Sequence, residues 1–546
     1  MTDGFTPPGP GTWLLDKSHM PTPTSTVLAG QLDAFEIGFN ETFARYGALA
    51  VSMTPRMVNH WFYMRLLALG EEGDDGPPSP EDVERGFVER IGLAAAAFDT
   101  KLWRSDLAQF DAVDKPAAIA RHRELWQVDR GSLDDAALAT HLDECADHHR
   151  SMLTLHHRNN LAAMVPVGDF LAHAAGWCQR PPDALMAVLA GSSPISGSRD
   201  DEIIGAADAV AADPDARALV AGAGDAAERL EPLRARVPEV AAWLDQVEFR
   251  LAYGFDPATP TLIETPELLL GRLNAAIADS RSADPTPLEA ALREAVPLDD
   301  RATFDELLAE ARLVYRLRDE RGIYGDISAG GIFRHALLAA GERLAARGSL
   351  VDPGHVFDGM VPELVDLLNG ASAPSATELH ERYQRRLAAA KLDPPPFLGP
   401  PPHDPPPADQ LPPPLARLMT AVGISIGSIL QGLPEPAGDE TTIKGITGAP
   451  GIYEGVVRVV ESLEQLLDLE DGEVLVSPMT TEAFNAAIHI PGPIVTDFGG
   501  AASHAAIVSR EAGIPAVVGT LVGTKRLRDG MRVAVDGDAG EVRILA

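Results

Sequence analysis

The chain has 546 residues, 45% of them hydrophobic and 23% charged, with a mean hydropathy of −0.02; this is too long for one hydrophobic core, so several domains are expected. The 80 acidic against 45 basic side chains leave a net charge of −35, which argues against nucleic acid and against anionic membrane surfaces, since both are bound through Lys and Arg. Only Cys145 and Cys178 are present, so a disulfide framework is excluded; no uninterrupted apolar run is long enough for a bilayer, and MTDGFTPPGPGTW lacks the parts of a signal peptide, so a cytoplasmic location is expected.

From about residue 25 to 390 the apolar spacing is helical, and residues 1–393 are expected to form a large all-α domain. One helix, HLDECADHHRSMLTLHHRNN, carries His141, His148, His149, His156 and His157. His149 and His156 lie two turns apart on one face, and either could deprotonate a phenol; a metal site and ordinary core or surface histidines are the competing readings, the last of them leading. The stretch MVPVGDFLAHAAGW that follows suits an aromatic pocket or plain packing. Further on, TFDELLAEARLVYRLRDERG has capping-box spacing at Thr303 and Glu306, a buried stripe of Phe304, Leu307, Leu308, Ala311, Val314 and Leu317, and Gly322 as its stop.

PPPFLGPPPHDPPPADQLPPP, from Pro394, cannot form a helix or a central strand; residues 394–440 are expected to be a semi-rigid linker ending in a short helix. After residue 440 the pattern changes to short Val- and Ile-rich runs (GVVRVV, EVLVS, PIVTD, AVVG, VAVDGDAGEVRIL) separated by Gly, Pro and Asp. Residues 441–546 are therefore expected to be a small α/β head, making the fold class multidomain α plus α/β.

Within that head, TDFGGAASHAAIVSREAGIPAVVG places Gly499 and Gly500 before Ser503 and His504 at a helix start. Unpaired N–H groups and the helix dipole there favour an anion and disfavour imidazolium. A neutral imidazole that attacks phosphorus and becomes a charged phosphoimidazole suits such a position. A buried structural histidine is the alternative. A triad of Ser503, His504 and Asp497 is disfavoured because adjacent helical residues point apart, and no metal-ligand spacing surrounds His504.

GGAASHAAIVSRE closely resembles the G-G-x-x-S-H-A-A-I-x-x-R-E motif of the swivelling phosphohistidine domain in PEP-utilising enzymes, and the resemblance extends through GAPGIYEGVVRVV, VLVSPMTTEAF and GIPAVVGT. It implies a β/β/α head in which His504 is phosphorylated, with Thr496, Gly499, Gly500, Ser503 and Arg510 supporting the phosphate. Ala502 stands where the pyruvate phosphate dikinases carry a regulatory threonine. GPGTWLLDKSHMPTPTSTVL and GGIFRHALLAAGERLAARGSLVDPGHVF are similar to the substrate domain of the rifampicin phosphotransferase and phenylphosphate synthase types. In that group an R-E-x-x-K pattern supplies two cations; here Arg318 matches, Gly322 replaces the lysine, and Arg321 is the substitute.

No stretch resembles the ATP-grasp domain of the family, GTLVGTK has the wrong spacing for a phosphate loop, and GAGDAA lacks a third glycine. The resemblance thus implies a separate ATP-grasp partner that binds ATP and Mg²⁺ and charges His504, releasing AMP and phosphate. The acceptor is expected to be a small phenol. A rifamycin-type acceptor and a non-enzymatic phosphocarrier or regulator are the alternatives.

Overall fold

A computed structural model describes residues 4–545 except 18, 75, 196–199, 279–284, 403–405, 431–440, 462–464, 467, 471, 481–491 and 502, so the latter part of the expected linker lies outside the described residues. The helices that bear on function are, in chain order, α1 (Leu32–Tyr46), α2 (Asp135–Arg158), α3 (Asn160–Cys178), α4 (Arg301–Tyr315), α5 (Leu317–Arg321), α6 (Ser328–Ala346), α7 (Pro413–Leu430), α8 (His504–Ala512) and α9 (Gly523–Arg526). The strands are β1 (Trp13–Leu15), β2 (Ala50–Val58), β3 (Trp61–Ala68), β4 (Phe397–Leu398), β5 (Thr442–Lys444), β6 (Ile446–Ala449), β7 (Ile452–Val459), β8 (Val474–Ser477), β9 (Ile494–Thr496), β10 (Ala516–Val518), β11 (Arg532–Asp536) and β12 (Glu541–Ile544). Packing divides the chain into a first unit, Met1–Ala162 with Gly254–Pro260 and Glu320–Met419, and a second, Ala163–Tyr253 with Thr261–Asp319 and Thr420–Ala546. The division does not follow the boundaries at 393 and 441.

The first unit is not all-α. A four-stranded antiparallel sheet, ordered β2-β3-β1-β4, is built into it. Its hairpin turns at Asn59 and His60, both with positive φ (51° and 64°), the combination a two-residue type I′ turn needs. WFYMRLL supplies the aromatic side chains that favour a pleated surface over a helix, and Trp61, Phe62 and Tyr63 are all buried. Phe397 and Leu398 join as an edge strand, the one sheet position that the neighbouring prolines allow.

Helix α2 is buried on most of its circumference. Its contact with α1 is close because Gly38 has no side chain: a Cβ there would lie 2.5 Å from the Thr154 carbonyl and 2.8 Å from Cβ of His157. The helical run Asp135–Cys178 is the one described stretch with the length and apolarity of a membrane span, and 61% of its most apolar window is buried, as in a core helix.

The stripe expected on α4 is buried in full. The helix begins at Arg301 after Asp300, which makes no side-chain cap bond, so Thr303 is not its cap. Gly322 does not end the helical path either. Residues Gly322–Ile327 form a wide π-type turn that leads into α6, with Gly325 at φ −112°, ψ −113° absorbing the departure from helical geometry and Ser328 Oγ donating to the Ile323 carbonyl at 2.6 Å.

In the second unit the runs read as strands after residue 440 all form. They give β7 to β12, which together with β5 and β6 make one eight-stranded sheet ordered β5-β12-β11-β7-β8-β9-β10-β6. Its centre, β7-β8-β9-β10, is parallel. Helix α8 is the crossover between β9 and β10, and Ala505, Ala506 and Val508 on it belong to the same hydrophobic cluster as Trp243, Leu244, Leu269 and Leu273.

Candidate functional site

Parallel strands leave their carboxyl ends facing the amino ends of the crossover helices, and ligands gather there. Thr480 follows β8, and the Asp497–Ser503 loop follows β9, so both lie at that edge of the second unit. Gly499 takes φ 109°, open to glycine alone among common residues. Asp497 fixes the loop, accepting from Thr524 N at 3.0 Å and Thr520 Oγ1 at 3.2 Å, and from the Thr524 hydroxyl. Ser503 (φ −67°, ψ 158°) is the N-cap of α8; its N–H donates to the Gly500 carbonyl at 2.9 Å, and its Oγ accepts from Ala506 N at 3.4 Å.

His504 is therefore the first residue of α8, and it is 4% exposed. Its Nδ1 lies 2.9 Å from Thr480 Oγ1. Burial, with the charge of Arg318 adding to it, lowers its pKa to about 3. The ring is thus neutral at physiological pH. A proton on Nδ1, donated to Thr480 Oγ1, would leave Nε2 as the basic nitrogen of the ring. The charge of Arg318 and the N-terminal dipole of α8 both disfavour an imidazolium at this position.

The other residues singled out around the loop have different surroundings. Arg510 donates to the Ala501 carbonyl and braces the loop from one turn along α8. Thr496 ends β9; its carbonyl accepts from Thr520 N at 2.9 Å and Thr520 Oγ1 at 3.0 Å, and its own hydroxyl is buried without a hydrogen bond. Thr480 was not assigned a role from sequence, although it sits inside VLVSPMTTEAF.

Arg321, His149 and His156 belong to the first unit. His149 is fully enclosed, with Nδ1 2.7 Å from Gln31 Oε1 and its ring 5.7 Å from that of Phe333. His156 keeps 15% of its side chain open, and its Nδ1 lies 2.9 Å from Oδ1 of Asp326, itself 5% exposed. Arg321 donates to the His156 carbonyl at 3.3 Å and to Oδ1 of Asn160. Burial holds His156 well below its ordinary pKa, with Arg321 and His19 adding to the effect. Burial pushes Asp326 up to about 7, against the pull of His149 and Arg321. Asp326 escaped sequence reasoning because it lies beyond the stop expected at Gly322. Among the described residues no three His, Cys, Asp or Glu side chains are grouped to hold a metal ion.

Residues 469–540 match the family model described as PEP-utilising enzyme, mobile domain. The chain is 34% identical over 250 residues to chondramide synthase of Chondromyces crocatus, covering 44% of this chain and 6% of that protein. It is 49% identical over 108 residues to a probable phosphoenolpyruvate synthase of Archaeoglobus fulgidus, covering 20% and 14% respectively. It is 29% identical over 223 residues to the rifampicin phosphotransferase of Streptomyces sviceus, covering 41% and 23%. The chain thus spans less than a quarter of the length of each of these relatives. With His504 seated in the matched segment, the chain carries the mobile domain of the PEP-utilising enzymes, together with a region similar to rifampicin phosphotransferase.

Proposed function

We propose that the chain is the phosphohistidine-carrying and acceptor-binding component of an ATP-dependent phosphotransferase. A separate ATP-grasp protein binds ATP and Mg²⁺ and places a phosphoryl group on Nε2 of His504, with release of AMP and phosphate. The head, moving on the 394–440 linker, then delivers the group to a phenolic hydroxyl, and an aryl phosphate leaves. The observation that carries this reading is the neutral, buried imidazole at the start of α8, held through Nδ1 by Thr480 and faced by the charge of Arg318. Little covalent chemistry is asked of the protein in phosphoryl transfer; positioning and charge stabilisation do most of it.

The test is incubation of the chain with ATP, the ATP-grasp protein and a panel of phenols, with detection of AMP and aryl phosphate. His504→Ala abolishes turnover and leaves acceptor binding intact; normal turnover in that variant refutes the proposal. Rifampicin belongs in the panel, because the 29% identity to a rifampicin phosphotransferase favours a rifamycin-type acceptor as the second reading.

A further inference from the structure

Two Asp–His pairs converge in the first unit. Asp326 Oδ1 lies 2.9 Å from His156 Nδ1, and Asp16 Oδ2 lies 2.7 Å from Nδ1 of His19. The cation of Arg321 acts on His156, His157 and Asp326. Partly open aromatic surface adjoins the group. His157 lies with its ring centroid 3.5 Å from that of Phe35 and stacks on Phe39 at 4.6 Å, while Phe255 is 6.0 Å from His19. Asp326 is presented from the π-type turn, so its carboxylate meets α2 instead of following the helical register. An acid, an imidazole with an open edge and a fixed cation beside aromatic walls are the groups that an aromatic hydroxyl needs in order to lose its proton next to phosphorus.

We propose that His156 is the catalytic base of an aromatic-hydroxyl acceptor site in the first unit, and that Asp326 is its positioning residue. This rests on the phosphohistidine reading for the identity of the donor alone. In the step, the acceptor oxygen forms its bond to phosphorus as the Nε2–P bond of phosphorylated His504 breaks. The hydroxyl proton passes to Nε2 of His156. The electron pair of the broken bond stays on Nε2 of His504, whose ring leaves neutral because Nδ1 has kept its proton toward Thr480.

Asp326 decides which nitrogen of His156 is free. As a carboxylate it accepts the Nδ1 proton and leaves Nε2 basic; as a carboxylic acid it donates to Nδ1 and puts the ring proton on Nε2, where it blocks the base. The charged and titratable groups facing the pair are His149 and His157 on α2, Arg321 on α5 and His19 with Asp16 after β1; beside them, Lys115 is tied to Glu320 at 2.8 Å and lies over the Tyr324 ring.

The experiment uses 3-nitrophenol, a weaker acid than the 4-isomer whose phenol and phenolate forms absorb at different wavelengths, with the full chain at a pH above the titration of Asp326 at which the free dye is still mostly protonated. Bound dye is expected to convert to phenolate in the wild type and in His504→Ala. His156→Gln and Asp326→Asn still bind it, with the phenolate fraction reduced about tenfold, one pK unit, and Asp326→Glu restores part of the conversion. If Asp326→Asn does not fold, His156→Gln decides. In parallel, discharge of the phosphorylated chain to phenol falls about a hundredfold in both variants while charging of His504 is unchanged. No saturable dye binding, or the same bound spectrum in wild type and variants, overturns the proposal. Failure of the phosphohistidine reading shows itself separately, as esterification by His504→Ala with the dye result intact.

Discussion

Thr480 Oγ1 and His504 Nδ1 are 2.9 Å apart, joining the segment after β8 to the first residue of α8. A neutral imidazole has one donor and one acceptor nitrogen, and the partner of one settles the role of the other. Thr480→Val keeps the shape and removes the oxygen, so the ring loses its preference for the Nδ1–H tautomer. The rate of phosphohistidine formation is expected to fall about 10- to 100-fold, the usual cost of losing a group that orients an imidazole, and Thr480→Ser should retain most of it. The acid-labile, alkali-stable phosphate on His504 is the quantity to follow; an unchanged rate in the valine variant removes Thr480 from the mechanism.

Arg318 is the second contributor to the depressed pKa of His504, after burial. Replacing it with Gln is expected to raise that pKa, measured by NMR titration of the ring, while leaving it below the ordinary 6.5 because burial persists. The same change removes the charge that offsets a phosphoryl dianion, so phosphoryl transfer should drop about a hundredfold, on the scale of losing one charge-stabilising donor. A lowered pKa in Arg318→Gln would show that the two groups do not interact as their placement indicates.

Much of the head was legible because its signals are local. Gly499, the Ser503 cap and the Val-rich runs each act within a few residues, and β7 to β12 and α8 form where those signals stand. The stripe on α4 was legible for the same reason. The hairpin at Asn59 and His60 was not, because a helical reading of the surrounding region hid a two-residue turn lacking the usual glycine. Gly322 looked like a stop, yet the chain there widens into a π-type turn, a choice made by the tertiary packing of Ile323, Ile327 and Ser328, all buried. Thr480 and Asp326 lie 24 and 170 residues from the histidines they meet, and such pairings follow from topology that local spacing does not encode.

The buried histidines make the chain sensitive to acid. Burial lowers His504 to about 3 and His148 and His149 to about 4, and holds His156 and His157 well below 6.5. In each case the unfolded chain takes up a proton at a pH where the folded chain does not. Their contribution to stability is therefore complete above pH 6.5 and is lost as pH falls from there toward 4 or 3. Each histidine adds about 1.4 kcal/mol per pH unit to the slope in that window. Thermal melting between pH 7 and 5 is the check: a steep fall in Tm is expected, and a flat profile would contradict the neutral, enclosed state of these rings.

Asp326 is expected to act in the opposite direction. Its folded pKa is raised from 3.8 to about 7, chiefly by burial, so the folded state favours the protonated acid. The stability this brings is full below about pH 4 and is lost as pH rises through 7, where the carboxylate must be carried charged in the interior. Asp326→Asn is neutral at every pH and keeps a polar group toward His156. Relative to the parent it should therefore be equally stable at pH 4 and more stable at pH 8, the difference building by about 1.4 kcal/mol per pH unit between the unfolded and folded titrations. The same variant is the one expected to lose the basic edge of His156. Stability gained with activity lost, and growing as pH rises from 4, separates a carboxylate kept for chemistry from one kept for packing. Equal Tm differences at the two pH values would show that Asp326 is not the group that titrates near neutrality.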